Sequence, residues 1–138
     1  MLGTTRLLKN ICGLWLVQEC RRVCYESLAM RYRTVFAMLE DLQGSRLDTL
    51  HVVGGGCQNI LLNPFTASAL QRTVVAGPVE ATSAGNMLMQ MYATGAIDSL
   101  AEGRALIRRS FDLVTYTPGN TADWDEAWPR FKRIETEG

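Results

Sequence analysis

The first proline in the chain is Pro64. Ahead of it two apolar stripes recur at helical spacing, one through Leu7, Ile11, Leu14 and Trp15, the other through Leu28, Tyr32, Val35, Phe36 and Leu39. No proline separates them, so the two stripes could form one helix from about Thr5 to Leu42, roughly 57 Å long at the helical rise. A compact domain made from 138 residues is only about 37 Å across. Either the chain breaks near Arg22 to Glu26, or part of that helix rests on something the chain does not contain.

Behind this segment the period shortens. Leu50-His51-Val52-Val53 reads as a β-strand running into Gly54-Gly55-Gly56, and Thr73-Val74-Val75-Ala76 as a second strand closed by Gly77-Pro78. Ile60, Leu61, Phe65, Ala69 and Leu70 place a helix between the strands. A strand, a helical crossover of about twenty residues and another strand form a parallel βαβ unit. Further helices are predicted from about Glu80 to Thr94, from the Ser99/Glu102 capping box to about Phe111, and from about Asp123, the last interrupted at Pro129. Two strands beside five helices do not make a complete parallel sheet, which needs cover on both faces. The expectation is one part of a larger α/β protein.

Composition narrows the function classes. Fourteen basic and fourteen acidic side chains cancel, which removes a general electrostatic reason to bind nucleic acid or an anionic membrane. With 47% apolar residues and no low-complexity run, disordered and fibrous classes are excluded. Ile11–Val17 imitates a signal peptide, but Glu19, Arg21 and Arg22 follow with no cleavage site, so a cytoplasmic location is expected. Cys12, Cys20, Cys24 and Cys57 form no CxxC pair, and His51 is the single histidine. Free buried or half-buried thiols and no metal site are the expectation. His51, in a strand among apolar neighbours, reads as a core histidine rather than a catalytic base.

Gly54-Gly55-Gly56-Cys57-Gln58-Asn59, between strand and helix, is the informative constellation. Glycines at the carboxyl end of a strand let a ligand approach the backbone, and a following helix offers N–H groups and the positive end of its dipole to phosphate. Gln58 and Asn59 can hydrogen-bond a base or ribose. A tight structural turn fits the same spacing equally well. The dinucleotide GxGxxG fails at Asn59, and the P-loop, HExxH and GxSxG patterns are absent. Glu80 is expected in the first turn of its helix, where Ala81, Ala84 and Gly85 give a slim packing face. On the first helix Asn10 and Gln18 project from nearly the same side, either as solvent-edge amides or as members of a site.

These segments resemble the rhamnulokinase branch of the FGGY carbohydrate kinase family. The resemblance lies in Leu7–Ile11, Gly13–Arg22, Tyr25–Ala29, Leu50–Asn59 and Ala76–Thr82, and it reaches from Gly3 to about Pro118. It implies a partial C-terminal, ATP-binding domain of the actin-like, ribonuclease H-like ATPase fold spanning residues 1–138. Residue by residue, Gln18 and Gly55 match ATP contacts, Gly54, Gly56 and Asn59 belong to the adenosine motif, and Asn10 matches an asparagine at the sugar site. The implied substrates are ATP and L-rhamnulose, with Mg²⁺, the product being the 1-phosphate. The family's catalytic aspartate and phosphate-binding segment have no counterpart here, and Asp41, Asp48 and Asp98 lie in no matching motif. The chain alone is therefore expected to be inactive. In the family a long segment separates the Glu-Cys-Arg-Arg helix from the Tyr-Glu-Ser-Leu-Ala helix, whereas here Arg22-Val23-Cys24-Tyr25 joins them. An internal junction near residues 22–26 follows. The expected partner is the absent N-terminal lobe, or a second copy held through the uncovered face. The alternative is a non-catalytic remnant that binds only a nucleotide or a partner.

Overall fold

The computed structural model describes the backbone of residues 3–137 and the side chains of residues 17–137. Its first element, α1, runs unbroken from Gly3 to Gln43, about 60 Å at the helical rise. No break occurs near Arg22 to Glu26. Among the described side chains, the later part of α1 is the more deeply docked. Ala29, Met30, Thr34 and Phe36 are buried, whereas Val17, Val23, Leu28 and Tyr32 are exposed. Of the two outcomes the length of the stripe allowed, the break does not occur: α1 is continuous and longer than the roughly 37 Å of a compact domain of this size.

The remaining elements are β1 (Thr49–Val52), a 3₁₀ turn (Gly55–Gln58), α2 (Leu62–Leu70), β2 (Thr73–Ala76), α3 (Ala81–Ala93), α4 (Leu100–Ser110), β3 (Val114–Tyr116) and α5 (Ala122–Glu137). β1 and β2 are parallel with Thr49 beside Thr73 and Val52 beside Ala76, so the βαβ unit forms as the sequence predicts. The sheet nevertheless has a third strand. β3 pairs antiparallel with β2, Val75 beside Thr115, giving the order β1-β2-β3 and a mixed sheet. Three residues, two of them exposed, carry too little periodicity to announce a strand, and pairing with β2 decides it.

The core is built from small side chains. Ala29 of α1, Ala67 and Ala69 of α2 and Val74 of β2 are fully buried, which lets α2 lie close between α1 and the sheet. Asn59 caps α2: its Oδ1 accepts from the N–H groups of Leu61 (3.1 Å) and Leu62 (2.9 Å). Gln71 ends α2 in the left-handed region at φ 55°, a conformation uncommon for a side-chain-bearing residue. Its Nε2 donates to both carboxylate oxygens of Asp125 at 2.9 and 2.8 Å.

α5 corrects the expected interruption at Pro129, because the helix passes through it. Proline removes one donor to the preceding turn, but contacts on both sides hold the helix continuous across the defect. Trp124 packs on Phe65 at 5.7 Å between ring centroids, the Arg33 guanidinium lies 4.6 Å over Trp128, and Glu135 accepts from Thr34 and pairs with Arg31. α4 starts as predicted, with Ser99 Oγ accepting from Glu102 N–H at 3.2 Å and Glu102 Oε2 accepting from Asp98 N–H at 2.9 Å. Glu80 corrects a second expectation: it stands just before α3, outside its first turn, and makes no side-chain cap. The close helix approach also differs from expectation. It lies at Gly103 of α4, where an added Cβ would meet Ile97 Cδ1 at 3.2 Å and Leu88 Cδ2 at 3.4 Å, and not at Gly85, which has open space.

His51 is exposed, which overturns its reading as a core histidine. β1 is an edge strand. The Val52 carbonyl accepts from Gly77 N–H at 2.8 Å and Gly54 N–H donates to Pro78 O at 3.0 Å, so alternation turns the peptide groups of His51 and Val53 outward. Cys20 and Cys24 are exposed free thiols, not the buried or half-buried ones expected, and Cys57 is a buried free thiol. Cys12 has its side chain outside the described residues.

Candidate functional site

The glycine turn leaves the carboxyl end of β1 through Gly54, whose φ of 75° and ψ of −164° fall where a side chain is strained. A Cβ at Gly54 or Gly55 would meet nothing within 4 Å, and one at Gly56 only Val52 Cγ1 at 3.9 Å. The space above the bend is open. Beneath it the buried Asn63 amide donates to Cys57 O at 2.8 Å and ties the bend to α2. Opposite, Gly77 at φ 117° would drive a Cβ to 3.1 Å from Leu113 Cδ2, so its absence of a side chain lets β2 turn against the strand pair's far side.

An open hollow of ≈ 440 Å³ lies over this bend, lined by Gly55, Gln58, Asn59, Ile60 and Leu61 from the turn and by Arg21 and Tyr25 from α1. A second hollow of ≈ 490 Å³ is lined by Gln18, Glu19, Arg21, Arg22, Leu61 and Phe65. Arg21 and Leu61 border both. Gln18 and the glycine turn, far apart in sequence, thus face neighbouring spaces. Gly54, Gly56 and Asn59 sit at the turn itself, while the side chain of Asn10 lies outside the described residues.

One expectation is corrected. The helix after the turn does not present free amides to phosphate, because Leu61 and Leu62 N–H donate to Asn59 Oδ1, Asn63 N–H to Asn59 O and Phe65 N–H to Leu61 O. Among the described residues the amides of Gly55 and Gly56 engage no carbonyl outside the turn. With Asn59 Oδ1 occupied in the cap, its Nδ2 is the end left to a ligand. Arg22 beside the second hollow is tied to Glu26 at 2.7 Å, and that partner raises its pKa.

Sequence reasoning passed over Asn63, Arg21 and Tyr25. A signal existed for the last two: Gln18, Arg21 and Tyr25 follow the i, i+3, i+7 spacing of one helix face. Asn63 carried none, since its role depends on where Cys57 O points. Among the described residues no three carboxylate, imidazole or thiol groups converge to hold a metal ion. No helix of the described residues is long and apolar enough to cross a membrane.

Residues 17–94 match the model of the FGGY family of carbohydrate kinases, C-terminal domain. The chain belongs to this family. The matched span takes in Gln18, the glycine turn, both strands of the parallel pair and α3. Among curated FGGY relatives, a rhamnulokinase of Bacteroides thetaiotaomicron is 36% identical over 191 aligned positions, covering 94% of this chain and 39% of that protein. A rhamnulokinase of Pectobacterium atrosepticum is 40% identical over 116 positions, covering 84% of this chain and 23% of that protein. The chain therefore spans well under half the length of the relatives it matches. The Bacteroides alignment is longer than the 138 residues available here, so that protein carries an internal stretch without a counterpart in this chain. An FGGY C-terminal domain implies the actin-like fold, and the chain shows an α/β core with a small mixed three-stranded sheet.

Proposed function

We propose that this chain is the ATP-binding C-terminal part of a sugar kinase resembling L-rhamnulokinase, with Gln18, Gly54, Gly55, Gly56 and Asn59 at the nucleotide and Asn10 at the sugar. The observation that carries the reading is the pair of hollows meeting at Arg21 and Leu61, one bordered by Gln18 and the other by Gly55 and Asn59. Backbone without side chains at Gly54 and Gly55 gives a flat ligand room to lie against the turn.

In the whole enzyme the γ-phosphoryl group of ATP passes to the primary hydroxyl of L-rhamnulose, giving the 1-phosphate. Positioning and charge stabilisation supply most of such a transfer, and a carboxylate accepts the hydroxyl proton. This chain's share is to bind and orient the nucleotide. Mg²⁺ would supply charge stabilisation to the transferring group. The residues described do not fit a resident metal, so no step is assigned through one. Asp41, Asp48 and Asp98 border neither hollow, and none is assigned as the base. The chain alone is accordingly inactive, and the base comes from a lobe on another stretch of polypeptide.

The longer aligned stretch of the Bacteroides relative supports an internal junction near residues 22–26, in the middle of the unbroken α1. The exposed Leu28, Tyr32, Val35 and Leu39 support a missing neighbour along that helix, which we assign to the absent family segment rather than to a second copy. The assembled enzyme is assigned to the cytoplasm. Titration of the full chain with ATP and Mg²⁺ is expected to show saturable binding, weaker than in a whole kinase. A coupled assay with L-rhamnulose is expected to show no turnover. Absence of saturable binding at millimolar ATP overturns the nucleotide reading and leaves a remnant that binds only a partner; robust turnover overturns the assignment of the base elsewhere.

A further inference from the structure

A nucleotide on the glycine turn brings several negative charges, and beyond the amides of Gly55 and Gly56 the turn offers them no donor with charge. The first amides of α2 are consumed by Asn59 and Leu61. Three side chains of α1, Gln18, Arg21 and Tyr25, occupy one face and border the two hollows. Arg21 is exposed and, among the described residues, enters no ion pair, while its neighbour Arg22 is committed to Glu26. Glu19 is the one carboxylate in the lining of either hollow, and it borders only the hollow of Gln18. Tyr25 is half-buried and shares its hollow with Gly55 and Asn59.

Resting on the nucleotide reading above, we propose that α1 supplies two further ligand contacts, the Tyr25 ring stacking on the base over Gly55 and the Arg21 guanidinium meeting the phosphates. The assignment of ends follows from the neighbours. Tyr25 sits where the side-chain-free turn leaves a flat slot and where Asn59 Nδ2 can bond a base edge. Arg21 borders both spaces, so phosphates leaving the first hollow toward Gln18 pass its guanidinium, whose fork suits phosphate oxygens. The two residues stand one helical turn apart only because α1 is continuous through Val23, so the site depends on the same segment where the proposed junction falls.

The test is calorimetric titration of the full chain and its variants with ATP, ADP and adenosine. Arg21→Gln is expected to weaken ATP and ADP about tenfold, as loss of a charge-assisted contact does, and to leave adenosine unchanged. It also flattens the salt dependence of ATP binding. Tyr25→Leu is expected to weaken ATP and adenosine by a similar factor of about five to ten, within the range for loss of one base stack, with Tyr25→Phe restoring both. Thermal melts of each variant check the fold, and the Phe variant keeps the ring should Leu disturb packing. If wild type binds ATP and the Arg21 and Tyr25 variants bind it equally well, the inference fails and the nucleotide reading stands. Equal loss of ATP and adenosine in Arg21→Gln overturns the phosphate assignment. No binding by wild type removes the nucleotide reading and this inference with it.

Discussion

α1 behaves as two different objects along one axis. From Ala29 onward it is part of the fold: Ala29 is 0%, Met30 5% and Phe36 7% exposed, and Arg33, Thr34 and Glu40 bond to other elements. Between Val17 and Leu28 it is a lever, with Val17 65% and Val23 58% exposed, yet this stretch brings Arg21 and Tyr25 to the hollow over the glycine turn and Gln18 to the hollow beside it. The lesson is that the residues proposed to meet a ligand sit on the least supported described stretch of the helix. Their placement is inherited from the rigid half, since a helix transmits position along its axis.

The contrast can be broken most directly by truncating one side chain in each half. Phe36→Ala is expected to lower stability by about 3 to 5 kcal/mol, the usual loss for a buried aromatic. Val23→Ala should stay within about 0.5 kcal/mol, as exposed positions do. Equal losses in chemical denaturation would show that the first half is packed as well. Next in size is Asn63→Ala, which leaves the buried Cys57 carbonyl without the Asn63 donor. A loss of about 1 to 3 kcal/mol is expected, together with weaker ATP binding as the bend loosens. A variant that loses stability but binds ATP normally would separate the turn's geometry from the site.

The third test uses pH. Leu47 N–H, then Arg72, hold the Glu40 carboxyl below its ordinary pKa, and Lys132, Arg31 and Thr34 do the same for Glu135. A lowered folded-state pKa contributes stability above the unfolded value and loses it as pH falls through the folded one. Melting temperature should therefore decline on acidification below the usual glutamate range, and Glu40→Gln should blunt that decline. Both clamps grip the docked half, so acid should release it before disturbing the exposed half. The smallest expected signal is amide hydrogen exchange: faster exchange across residues 17–28 than across 29–42. Uniform protection would abolish the distinction.

Much of this arrangement was legible beforehand because its causes are local. β2, α3 and α4 announce themselves through strand composition, the stop at Gly95 and the Ser99/Glu102 box. The glycine turn after β1 was likewise legible in its run of three glycines. What escaped was decided between elements. β3 exists because β2 offers it an edge. α5 survives Pro129 because Phe65, Arg33 and Thr34 reach it from other helices. The amides of α2 were expected to be free, but Asn59 turns its own Oδ1 upon them, a choice of rotamer that spacing does not encode. His51 looked internal beside Leu50 and Val52, yet an edge strand with little beyond it shows that face to water.

The position of β1 at the rim of the sheet has its own consequence for handling the protein. The outward peptide groups of His51 and Val53 run beside the exposed Val53 side chain without a lysine or proline in the strand, the features that ordinarily discourage one chain from adding to another. Crowding the molecule in a tube is therefore expected to favour copies adding along that rim, and light scattering that does not rise with concentration would refute it.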